Sequence, residues 1–134
     1  MTIWVDKRIA IAALLFALSG CGNDPEASEA RLRKGPDGSA PSAFSICKAC
    51  HSVERGKTII GPSLHGVFGR KAGSLAGASY SPAMAGSGLL WDEATLDAFL
   101  TSPMVKVPGT RMTYAGQADP AKRAAIIAYL KALK

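Results

Sequence analysis

The sequence predicts an all-α domain of short helices joined by Gly/Pro-rich loops. Three observations lead there. No long alternating Val/Ile/Thr run occurs, and Gly and Pro punctuate the middle of the chain, so strand signals are weak. Three segments carry helix signals of their own. The third observation is Cys47-Lys48-Ala49-Cys50-His51, the attachment signature of a c-type haem. A covalently held haem gives short helices and loops a large apolar plate to wrap around, in a domain otherwise too small for a sizeable core.

Residues 1–20 read as a targeting segment. Lys7 and Arg8 form a positive n-region, and Ile9 to Leu18 is an apolar stretch too short for a comfortable membrane span. It ends in Leu18-Ser19-Gly20-Cys21, which resembles the lipobox of bacterial lipoproteins. That resemblance implies cleavage before Cys21 and lipidation of its sulfur and new amino group. Several acyl chains anchor stably where one is marginal. An ordinary secretory signal or an uncleaved anchor are the alternative readings. The expected location is the periplasmic side of a bacterial membrane, with the domain lipid-anchored.

Residues 21–38 are polar and of mixed charge, with Leu32 the bulky apolar exception, and cannot bury enough surface to order themselves. They read as a flexible tether reaching about 20–25 Å if coil-like; a short solvated helix over 26–34 is the other reading. Residues 39–134 form one domain with no internal repeat.

Its first helix is expected from Pro41 to Cys50, anchored by Phe44. On a helical turn residues three apart share a face, so both thiols reach one porphyrin edge. His51 then follows, where its imidazole can bind the iron. A redox Cys-x-x-Cys pair would lack the histidine and sit near a βαβ pattern. A zinc site would need further ligands, and only Cys21 and the isolated His65 remain. The three cysteines divide into one for lipid and two for thioethers, with none left for a disulfide.

Residues 61–90 read as irregular Gly/Ser-rich loop. The second helix follows Trp91: Asp92 is its N-cap, and Leu96, Phe99 and Leu100 fall at i, i+3 and i+4. The third opens at Asp119-Pro120, with Asp as cap and Pro at the first helical position. Ile126, Ile127, Leu130 and Leu133 form its apolar stripe, and Lys131 and Lys134 complement its negative end.

A six-coordinate haem needs a second axial ligand, and Met84, Met104 and Met112 lie downstream. Methionine is more often gap-filling core than ligand. Met112 stands out because it follows the rigid turn Pro108-Gly109-Thr110-Arg111. Thioether and imidazole ligation raises the haem potential and suits electron transfer.

These segments, taken in order, resemble class I cytochrome c, the subgroup of mitochondrial cytochrome c and its bacterial relatives. The matching stretches are Cys47 to Glu54, Gly61 to Gly73, Tyr80-Ser81, Trp91, Thr95-Leu96, Pro108 to Met112 and Arg123 to Lys131. The resemblance implies the cytochrome c fold, one haem c per chain on Cys47 and Cys50, and axial ligation by His51 and Met112. It implies that the Pro62 carbonyl orients His51, and that Arg70, Tyr80 and Trp91 approach the haem propionates, which need donors if buried. Thr110 would help close the distal side, with Phe99 and Tyr114 near Met112. Two departures point to a drier pocket: Met84 stands where many relatives have Asn, and Phe99 where the mitochondrial form has Tyr. His65 is expected at the surface.

From Ser39 onward eleven Lys/Arg oppose five Asp/Glu, a formal +6. Lys48, Arg55, Lys57, Arg70, Lys71, Lys106 and Arg111 lie in segments that border the haem in this family, and a basic rim there would steer the domain to acidic docking faces. Export argues against nucleic acid as a partner. The expected function is one-electron carriage, not enzymatic catalysis, between a quinol-oxidising cytochrome complex and a terminal oxidase or other redox enzyme of a respiratory or photosynthetic membrane. A peroxidase is the competing class, disfavoured because no distal acid–base His is placed to assist. A subunit dedicated to one membrane-bound dehydrogenase would keep the chemistry and change the partner.

Overall fold

Asp119 caps the longest helix among the described residues: its Oδ1 accepts from the amides of Ala121 at 2.9 Å and Lys122 at 3.4 Å, and Pro120 follows with φ already fixed for a helix. The computed structural model describes residues 39–134. Among the described residues the α-helices are α1 (Pro82–Ala85), α2 (Glu93–Thr101), α3 (Pro103–Lys106) and α4 (Pro120–Ala132), preceded by a 3-10 helix (Ser42–Ala49). The only pairing of extended chain among them is an isolated antiparallel bridge between Lys71 and Leu90. The expected all-α fold class is what forms. No helix among the described residues is long and apolar enough to cross a membrane. The lipobox with Cys21 and the expected tether lie outside the described residues.

The α4 stripe buries Ile126, Ile127 and Leu130 together with Ala125, and leaves Leu133 half-buried. In α2 the Asp92 carboxylate accepts from the Thr95 amide at 2.7 Å, and Leu96, Phe99 and Leu100 face inward. Each such side chain contributes about 1.5–3 kcal/mol by leaving water. The two helices pack on one another and share an outer clasp: Lys131 Nζ lies 2.8 Å from Glu93 Oε2 and 5.0 Å from the centre of the Phe68 ring.

Three local expectations are corrected. The first helix is a 3-10 helix over Ser42–Ala49 rather than an α-helix to Cys50, closed by i→i−3 bonds such as Phe44 N to Pro41 O at 2.8 Å. Two serines and the β-branched Ile46 give this stretch poor α-propensity, and Phe44, fully buried, is its one deep anchor. Phe44 meets Tyr129 of α4 edge-on, ring centres 4.7 Å apart, which docks the segment on the long helix. The second correction falls in the 61–90 loop, which contains α1, capped by Ser81 Oγ accepting from Met84 N at 3.1 Å. The third is α3, an unexpected turn that starts at Pro103 after Ser102. His65, expected at the surface, is half-buried.

Candidate haem site

Cys47 closes a turn on both residues that matter after it: its carbonyl accepts from Cys50 N at 3.2 Å and from His51 N at 2.9 Å. In a 3-10 turn residues three apart are eclipsed, so the two cysteines lie on one side, and the His51 side chain leaves from the end of the same turn. Cys47 and Cys50 are not bonded to one another, and both are partly buried.

The chain then loops back on this turn. Gly61 N donates to Cys50 O at 2.7 Å, and His51 Nδ1 lies 2.7 Å from the Pro62 carbonyl oxygen. A carbonyl only accepts, so Nδ1 carries a proton, and Nε2 is the ring nitrogen left to face a metal. Gly61 lies against the imidazole itself: a Cβ there would come within 2.7 Å of Nδ1 and 3.0 Å of Nε2. Ser63, fully buried, holds the loop by donating from Oγ to Glu54 O at 2.5 Å and accepting from His65 N at 3.2 Å.

Arg70 donates to Ser63 O at 2.9 Å and His65 O at 3.1 Å. Burial pulls its guanidinium down from the usual value, and the nearby Tyr80 opposes that shift. The short antiparallel pairing brings Trp91 alongside: Trp91 N donates to Arg70 O at 3.0 Å and Gly69 N to Trp91 O at 2.9 Å. Trp91 is buried against Phe99, ring centres 4.9 Å apart. Arg70, Tyr80 and Trp91 are therefore neighbours, although Arg70 and Trp91 stand 21 positions apart in sequence.

On the other segment Thr110 is buried, donates from its amide to Val107 O at 3.0 Å, and accepts from Met112 N at Oγ1 at 3.3 Å. Met112 is half-buried and packs on the core, as do Tyr80, Leu64 and Tyr114. Burial raises both the Cys47 thiol and the Tyr114 phenol, and Tyr114 is raised further by Cys47. Cys47 and Tyr114 both pack against the hydrophobic core. Met84 and Phe99 are both buried, whereas Met104 is 54% exposed and sits on the outer face of α3.

Two cysteines on one side of a turn, followed at once by an imidazole oriented through its Nδ1–H, and half-buried apolar side chains around them form a set that fits haem c. No group of three or more His, Cys, Asp or Glu able to hold a bare metal ion occurs among the described residues. The fold and the site thus define a small helical protein built to carry a covalently attached haem. Residues 38–134 match the cytochrome c family profile, and the chain belongs to that family: it is a c-type cytochrome, an electron carrier with covalently attached haem c. Cytochrome c2 iso-2 of Magnetospirillum fulvum is 58% identical over 94 residues, covering 70% of this chain and 98% of that protein. Its counterpart in Magnetospirillum molischianum is 52% identical over 95 residues, covering 71% and 98%. The solved structure of cytochrome cH from Methylobacterium extorquens superposes with a TM-score of 0.65 at 50% identity, covering 67% of this chain and 91% of that one.

Gly61, Ser63 and the Arg123–Asp97 pair hold these segments in place, a part that the sequence expectations assign to none of them. Gly61 has a sequence signal, since a glycine directly before Pro62 in a ligand loop often marks close approach. Ser63 has none.

Proposed function

We propose that this cytochrome is a membrane-tethered one-electron carrier whose iron is held between His51 Nε2 and Met112 Sδ. The observation that carries the ligand assignment is the 2.7 Å contact from His51 Nδ1 to the Pro62 carbonyl, which leaves Nε2 as the metal-binding nitrogen. Haem c supplies a one-electron ferric/ferrous couple, at a potential raised by imidazole and thioether ligation. Cys47 and Cys50 hold the haem edge, and Thr110 fixes the Met112 backbone through its hydroxyl. Arg70, Tyr80 and Trp91 supply donors and positive charge for the propionates, and their clustering supports that role. Residues 1–20 are a lipoprotein signal, Cys21 carries the lipid, and residues 21–38 tether the domain at 39–134 on the periplasmic side of the membrane. Electrons pass from a quinol-oxidising cytochrome complex to a terminal oxidase or another redox enzyme, in a respiratory or photosynthetic chain.

The test is spectroscopic. The ferric holoprotein should show the weak far-red band of a thioether–iron bond. Met112→Ala should lose that band and keep the covalent haem, whereas Met84→Ala and Met104→Ala should retain both. Persistence of the band in Met112→Ala would reassign the ligand.

A further inference from the structure

The guanidinium of Arg123 joins three parts of the fold that are distant in sequence. Arg123 sits in the first turn of α4, and its side chain is only 11% exposed. Nε–H donates to Asp97 Oδ1 of α2 at 2.7 Å, with Nη2 reaching Oδ2 at 3.5 Å. Nη1 donates to two consecutive carbonyls, Gln117 O and Ala118 O, each at 2.9 Å. Those carbonyls belong to the strand of chain that returns from Met112 to α4.

The same stretch is gripped from its other side. Gln117 N donates to Leu100 O at 2.8 Å. Gly116, at φ +106°, lies so close to the end of α2 that a Cβ there would stand 3.0 Å from the Thr101 carbonyl carbon. Upstream, the turn Val107 to Thr110 and the Thr110 hydroxyl hold the Met112 amide. Met112 is therefore in the middle of a loop pinned at both ends, and the downstream pin is one planar, five-donor group.

We propose that Arg123 is a positioning residue for the distal ligand: by locking Gln117 and Ala118 onto the start of α4 it sets how often the loop opens and Met112 leaves the iron. This rests on Met112 being the second axial ligand. Planarity is essential. One edge of the fork meets the Asp97 carboxylate while Nη1 bridges two carbonyls, and a lysine ammonium cannot span all three acceptors. The buried cation also ties the two long helices together, so a purely structural role has to be separated from a role in the loop.

The experiment uses the holoprotein and two readouts: the rate at which added imidazole displaces Met112, and hydrogen exchange at the Gln117 amide compared with the Ile127 amide inside α4. Hydrogen bonds from a charged group exceed the 1.4 kcal/mol that corresponds to one decade, so Arg123→Lys and Arg123→Ala should each speed both loop readouts by about tenfold or more. Ile127 exchange should change less than Gln117 exchange in Arg123→Lys. Asp97→Asn, which leaves both carbonyl bonds in place, should keep Gln117 near the native rate. The proposal is overturned if Arg123→Lys restores native imidazole kinetics, if Gln117 speeds no more than Ile127, or if Asp97→Asn loosens Gln117 as much as Arg123→Ala does. A native protein without the far-red band would instead defeat the ligand assignment, and the exchange comparison would still decide whether Arg123 locks the loop.

Discussion

Gly61 lies against the His51 ring: a Cβ added there would fall 2.7 Å from Nδ1 and 3.0 Å from Nε2, inside van der Waals contact with the hydrogen-bonded nitrogen and with the one proposed to hold the iron. The imidazole is thus fixed by the hydrogen bond its Nδ1–H donates to the Pro62 carbonyl and by the Gly61 backbone packed against it. A ring held in both ways cannot give way to an added methyl without losing the Pro62 bond.

Gly61→Ala should therefore cost about 1–3 kcal/mol through overpacking and lower the yield of correctly ligated haem. Thermal unfolding and the pyridine haemochrome yield measure the two effects. An alanine variant with native melting and native yield would mean that the ring tolerates the shift.

The cysteine–histidine turn is legible in the sequence because its chemistry is local: five consecutive residues contain both thiols and the imidazole. The α2 and α4 starts are legible for the same reason, since Asp92 and Asp119 cap amides within three residues. What the sequence hides falls into two kinds. Short elements give no period: α1 and α3 have four residues each, and only Ser81-Pro82 and Ser102-Pro103, a small polar residue before Pro at the first helical position, signal them. The choice between 3-10 and α over the eight residues Ser42–Ala49 is equally invisible to apolar spacing. Long-range polar clamps are the second kind. Arg123 and Asp97 are 26 residues apart, and nothing in either neighbourhood marks them as partners. The basic rim is also thinner than counting suggests, because Lys57 pairs with Glu54 at 2.7 Å and Arg70 is committed to internal carbonyls.

Asp92 makes acid stability a readout of one helix cap. The hydrogen bonds from Thr95 hold its carboxyl below the usual carboxylate range. A carboxylate with a lowered folded value stabilises the fold above its ordinary value, and that contribution is lost as pH falls through the lowered one. Asp92→Asn keeps a side-chain oxygen for the Thr95 amide and removes the titration. Its urea midpoint should therefore fall less steeply than that of the native protein through the acid range. Parallel profiles would remove Asp92 from acid unfolding.

The proposed anchor is tested by location and mass. Cys21→Ala should release the cytochrome from the membrane fraction into the soluble periplasm without changing its visible spectrum, because the haem donors all lie in the 39–134 domain. The intact mass of the native protein should exceed that of the chain cleaved before Cys21, plus haem, by its acyl groups. A native mass without that excess would make residues 1–20 an ordinary secretory signal.

Electrostatic steering depends on which cations remain available once internal partners are subtracted. Lys48 lies between the two thiols on the exposed side of their turn and, with Lys57, His51 and Ile59, lines a surface recess of about 330 Å³. Lys57 is neutralised by Glu54, so Lys48 provides the unpaired charge nearest the attachment turn. Oxidation by ferricyanide, a small anion, should slow as ionic strength rises, because a Debye length of about 8 Å at physiological salt screens attraction beyond the first contact. Lys48→Ala should reduce the low-salt rate and flatten that dependence, and Lys57→Ala, which leaves Glu54 without its partner, lowers the local charge by the same one unit and should act in the same direction. A native rate independent of salt would end the steering argument, and a Lys57→Ala profile matching the native one would show that the Glu54–Lys57 pair lies outside the field that the oxidant senses.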